Sequence, residues 1–148
     1  MNMDLISMVD YLAIVKHILN LNHGNIIIKH DTSKLEGTHM GITRFKGRKI
    51  TIFLRDDYDK PYVEYFAVAH ELRHIWQYIS GFSLDDYKER SELSVDQYNK
   101  QFLEIDANAF AQLMLSRYLH IMIDLPILLT DDIQKRMKII NADLFRSE

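Results

Sequence analysis

The residues best placed to do chemistry are two histidines four apart with a glutamate directly after the first. They form His70-Glu71-Leu72-Arg73-His74, within AVAHELRHIWQY. On a helix, residues i and i+4 lie about 40° apart around the axis. His70 and His74 would project side by side and could grip one ion at the Zn–N distance of about 2.0–2.1 Å. Glu71 lies about 100° round from His70, near the ion without being forced to bind it. That position suits a general base acting on an activated water. Random placement at this composition yields the pattern roughly 0.016 times per chain. The competing reading is a helix whose histidines are simply exposed or hydrogen-bonded.

A catalytic zinc site needs three protein ligands and one open position. The extended pattern with a third histidine six residues after His74 and a glycine midway is absent, because Gln77 and Ser80 stand there. The next source is an acid on a following helix. FLEIDANAFAQLML offers Glu104, with Asn108 one turn later on the same face. Ala107 and Ala111 flank them and are small enough for two helices to approach closely. Asn108 is a candidate to support a ligand histidine from behind. Asp106 is the rival ligand. It lies about 200° from Glu104 around the helix, so both cannot face one ion. The alanines lie nearer Glu104 and bulky Phe110 nearer Asp106, which favours Glu104.

The elements that must carry these residues follow from periodicity. Residues 3–20 have helical spacing of Leu5, Met8, Val9, Leu12, Val15, Ile18 and Leu19. NIIIKH, residues 25–30, reads as a short buried strand after a turn signal at His23-Gly24. GITRFKGRKITIFLR reads as a hairpin turning at Lys46-Gly47, with Ile50, Ile52 and Leu54 alternating at period two. Asp57 and Asp59 precede Pro61 as helix-start chemistry, and a helix over 61–80 ends at Gly81. Its Tyr65, Val68, Leu72, Ile75, Trp76 and Ile79 face the core. Residues 82–94 read as a polar loop or a short turn of helix, 95–119 as the second site helix, and a final helix follows Pro126 with Thr130 as its cap. Strands grouped between helices predict an α+β class, with a short, mostly antiparallel three-stranded sheet in one domain spanning 1–148.

The 148 residues carry a formal net charge of -3 and no cysteine. Disulfides, thiolate ligands and a cysteine nucleophile are excluded, and a general nucleic-acid binder is disfavoured. The start of the chain lacks signal-peptide features, and no apolar run is long enough to span a bilayer. The expectation is a soluble, cytoplasmic protein that binds neither membrane nor nucleic acid directly.

AVAHELRHIWQ followed by EIDANAFAQLML resembles the ImmA/IrrE-type metallo-endopeptidases of bacteria, their mobile elements and phages. The second pattern is carried by Glu104, Ala107, Asn108, Phe110 and Ala111, and the resemblance covers roughly residues 48–115. It implies a small zincin-like domain and a gluzincin-like Zn2+ site, with His70, His74 and Glu104 as ligands and Glu71 as catalytic base. It also implies a protein or peptide substrate, a separate DNA-binding regulator being one such partner. The chain departs from the family at Arg73, where Gly is frequent, and in LMLSRY, which runs on without Pro. The zincin architecture further suggests that strand KITIFLR offers its edge to an extended peptide. Tyr78, His39, His120 and Arg44 are the chemically able oxyanion donors, and the sequence does not choose among them. A zinc-holding binding module without catalysis is the alternative; the intact Glu71 speaks for hydrolysis.

Overall fold

The computed structural model describes residues 5–21, 25–35, 37, 39–82, 93, 97, 99 and 101–145. The turn expected at His23-Gly24, most of the polar loop expected over 82–94 and most of the helical start expected from residue 95 lie outside them. Among the described residues, four helices accompany a three-stranded sheet. They are α1 (Met8–Ile18), α2 (Pro61–Ile79), α3 (Phe102–Leu119) and α4 (Asp131–Phe145). The strands are β1 (Ile26–His30), β2 (Gly41–Lys46) and β3 (Lys49–Leu54). The class is α+β, as the order of the elements predicts.

Helix α1 starts later than its periodicity suggests. Ser7 caps it by accepting from the Asp10 amide at 3.1 Å, and Leu5 and Ile6 precede it outside the helix. Their position still matters, because the Tyr65 hydroxyl donates to the Ile6 carbonyl at 2.5 Å and ties this segment to α2. Helix α2 has Pro61 in its first turn, but its cap position is Lys60 and no side chain caps it. Asp57, expected there, is bound instead by the Arg55 guanidinium at 2.8 Å. The helix ends as expected. Gly81 takes φ +82°, which an L side chain rarely adopts. The amides of Gly81 and Phe82 return to the carbonyls of Tyr78 and Gln77 at 3.2 and 3.1 Å.

The sheet order is β1-β3-β2. β2 and β3 form the predicted hairpin, but its two-residue turn is Gly47-Arg48, one residue later than expected, because Lys46 still pairs with Lys49. β1 joins β3 in parallel, so the sheet is mixed rather than mostly antiparallel. Two expectations are corrected by this order. β3, the strand KITIFLR, is central and has no free edge; β2 is the edge strand. β1 is also an edge, and only its Ile26 and Ile28 turn toward the core, while Ile27 is exposed. Period-two patterns fix which side chains share a face but not which strands are neighbours.

The core lies between the inner sheet face and the helices. Ile52 and Leu54 of β3 meet Phe66, Leu72 and Ile75 of α2, with Tyr11 and Val15 of α1 beside them. Helix α3 is buried nearly all round, from Leu103 to Leu115, and packs against both α2 and α4. Ala107 and Ala111 are fully buried, consistent with a close approach of α3 to its neighbours. Burial of α2 extends beyond the predicted face to Phe66, Ala69, Arg73 and Gln77, whereas Ile79 is exposed. Thr130 caps α4, accepting from the Ile133 amide at 3.4 Å. No helix among the described residues is long and apolar enough to cross a membrane.

Candidate metal centre

Helix α2 places His70 and His74 one turn apart, and their Nε2 atoms lie 3.1 Å from each other. Helix α3 supplies Glu104 from the other side. One carboxylate oxygen lies 3.3 Å from His70 Nε2 and the other 2.9 Å from His74 Nε2. Three donors about 2.0–2.1 Å from a tetrahedral ion would sit about 3.3 Å apart. The two histidine nitrogens, 3.1 Å apart, and the separation of each from its nearer Glu104 oxygen, 3.3 and 2.9 Å, fall near that value, so the residues fit a small divalent ion that takes nitrogen and oxygen ligands.

His70, Glu71 and His74 also present donor atoms within 4.8 Å of one another, and this group could hold a metal ion. Within it Glu71 is the less suited to be a ligand. Its nearer approach to His70 Nε2 is 3.7 Å, and its other oxygen accepts from the Thr43 hydroxyl at 2.7 Å. Glu104 touches both histidines and Glu71 stands to one side, held by β2.

The field at the site favours positive charge. Burial works against a charged His74 ring, but the Glu104 carboxylate beside it, with help from Glu71 and Gln77, raises the ring's pKa. Burial likewise opposes the Glu104 carboxylate, yet the neighbouring His74 and His70 hold it well below the usual range. An environment that stabilises an added proton also stabilises a metal cation in its place.

Asp106, the rival ligand, points away from this cluster. It is fully buried and receives Arg73 Nε at 2.7 Å, a second Arg73 nitrogen at 3.1 Å and Arg136 Nε at 2.8 Å. Burial opposes its charge, and the Arg73 pairing holds its carboxyl below the ordinary value. The Arg73 guanidinium also lies 3.8 Å from the Trp76 ring centre. Arg73 is thus a buried structural cation rather than a site group.

Gln77 joins the two systems. Its carbonyl oxygen lies 2.8 Å from His74 Nδ1. Its amide nitrogen donates to Asp106 at 2.9 Å and to the Leu103 carbonyl at 2.9 Å. An Nδ1–H donated to Gln77 leaves the Nε2 lone pair of His74 facing the site, the arrangement a metal ligand needs. Asn108 is buried on the Glu104 side of α3. His70 Nδ1 is buried without a hydrogen-bond partner, so Asn108 does not support that ring here.

The four oxyanion donors left open by the sequence separate in space. His120 caps the far end of α3 in the left-handed conformation, about 24 Å along the helix from Glu104. Arg44 projects from the outer face of β2, away from Glu71. His39 lies just before β2. Tyr78 lies one turn beyond His74, half exposed, with its ring centre 4.4 Å from that of Phe45. Sequence reasoning missed Thr43 and Gln77. Gln77 at i+3 from His74 was a usable signal; nothing local marked Thr43.

No family model, no curated protein and no solved structure matches this chain.

Proposed function

We propose that the chain is a zinc-dependent endopeptidase of the ImmA/IrrE type, acting on a peptide bond in a protein substrate. The observation that carries this reading is the convergence of His70, His74 and Glu104 to within 3.3 Å, with Glu71 beside them and outside the ligand set. His70, His74 and Glu104 would hold the ion. Zinc bound there would supply Lewis acidity toward water and the scissile carbonyl.

The chain's own residues supply the proton chemistry. Thr43 holds one oxygen of Glu71 and leaves the other free to move a proton. Glu71 accepts it from the attacking water and returns it to the departing amine. Gly41 keeps the space beside this carboxylate open: a Cβ there would stand 3.3 Å from Glu71 Cγ. The edge strand β2, which carries both Gly41 and Thr43, is the natural rest for an extended substrate. The reading is tested by incubating the purified chain with casein and a peptide library, with and without a chelator. Cleavage that zinc restores and that Glu71→Gln abolishes is expected. Cleavage that survives Glu71→Gln would overturn the assignment of the base.

A further inference from the structure

The outer face of the sheet carries charge of one sign. Side chains alternate along a strand, and Thr43, Ile52 and Leu54 turn inward toward Glu71 and the core. The register therefore puts Arg44, Lys46, Lys49 and Phe53 on the outer face, with Lys29 beside Phe53. All four basic residues are exposed, as is Arg48 in the turn. The three strands contain no Asp or Glu, and none of these five cations forms an ion pair among the described residues. Lys46 and Lys49 stand directly opposite one another, a like-charge pair that is unfavourable alone and that an anion would relieve. In a chain of net charge -3 this is segregation, not a general surplus.

This surface adjoins an open edge. β2 is the terminal strand, and its backbone has no partner beyond β3 among the described residues. A segment added to that edge would place residues opposite Arg44 and Lys46 on the outer face, two positions apart. The residue between them would turn inward, beside the exposed rings of Phe45 and Tyr78. We propose that β2 receives an extended peptide segment of the pattern acidic-apolar-acidic. The inference rests on the peptidase reading for its place beside the site: such a segment, antiparallel to β2, presents these residues on the amino-terminal side of the bond near Glu71. Opposite charges across a strand pair are favourable, and two such pairs with one apolar contact select a sequence rather than mere charge.

The test is fluorescence anisotropy with labelled peptides carrying Glu-Phe-Glu, Gln-Phe-Gln or Lys-Phe-Lys in a common Ser-Thr background. The full chain with Glu71→Gln is used, so that binding is read without cleavage. Glu-Phe-Glu is expected to bind about fivefold more tightly than Gln-Phe-Gln, with the gap narrowing as salt rises. Arg44→Glu with Lys46→Glu, its far-UV spectrum unchanged, is expected to reverse the order toward Lys-Phe-Lys. Equal binding of the three peptides, or an order that survives the charge reversal, would overturn the proposal. So would tighter binding of oligothymidylate that displaces Glu-Phe-Glu, which would assign the surface to nucleic acid. The preference without any zinc-dependent cleavage by the unsubstituted chain would uphold this inference and remove the peptidase reading alone. Cleavage with no acidic preference would do the reverse.

Discussion

Gln77 holds His74, its carbonyl oxygen 2.8 Å from His74 Nδ1, while its amide is anchored on Asp106 and Leu103. The candidate ligand is thereby coupled to the buried ion-pair network between α2, α3 and α4. Removing Gln77 frees the ring and its tautomer. Gln77→Ala is expected to weaken zinc binding about 10- to 100-fold, read by competition with a chromophoric chelator. Unchanged affinity would mean that the ring is held by packing alone.

Arg73 and Asp106 are a buried pair, and breaking such a pair by removing one partner costs about 3–5 kcal/mol. Asp106 keeps Arg136 and Gln77 when Arg73 is lost, so Arg73→Met is expected at the low end, about 3 kcal/mol. Denaturant unfolding measures it. A loss under about 1 kcal/mol would show that the pair is dispensable.

The helical spacing of the two histidines and the small residues beside Glu104 were enough to bring the three donors together on paper. Asp106 and Glu104 were separable because two residues on a helix face opposite ways and only one side is lined by alanine. What eluded the sequence depends on contacts between distant elements. Arg73 read as an oddity inside the motif until Asp106, Trp76 and Phe110 were seen around it. Thr43 became relevant only because β2, not β3, borders α2 at Glu71. The three isoleucines of β1 read as full burial, yet the outer face of the sheet is open and Ile27 lies on it.

Thr43 positions Glu71. Thr43→Val keeps the shape and removes the donor. A hydrogen bond to a charged group contributes about 1.5–3 kcal/mol, so cleavage is expected to fall roughly 10- to 100-fold with zinc content unchanged. Gly41→Ala should act in the same direction by crowding Glu71 Cγ. A Thr43→Val variant that cleaves as fast as the parent would exclude Thr43 from the proposed mechanism.

Tyr11 is a buried phenol whose hydroxyl has no hydrogen-bond partner. Burial, with Tyr65 and Tyr118 nearby, pushes its pKa far above the ordinary value. The unfolded chain ionises this group near pH 10, while burial holds it neutral to higher pH in the folded chain. Stability contributed by the neutral form is therefore complete below about pH 10 and declines as pH rises above it. Tyr11→Phe is expected to melt higher than the parent by a margin that widens in alkali. A constant margin across pH would contradict the assignment.

If His70, His74 and Glu104 hold zinc and Asp106 does not, the metal content of the purified, untagged chain shows it by mass spectrometry, beside His70→Ala/His74→Ala, Glu104→Ala and Asp106→Asn. About one zinc per chain is expected in the parent and in Asp106→Asn, and loss of zinc in the other two. No zinc in the parent after zinc is offered, or zinc retained by Glu104→Ala and lost by Asp106→Asn, would contradict it.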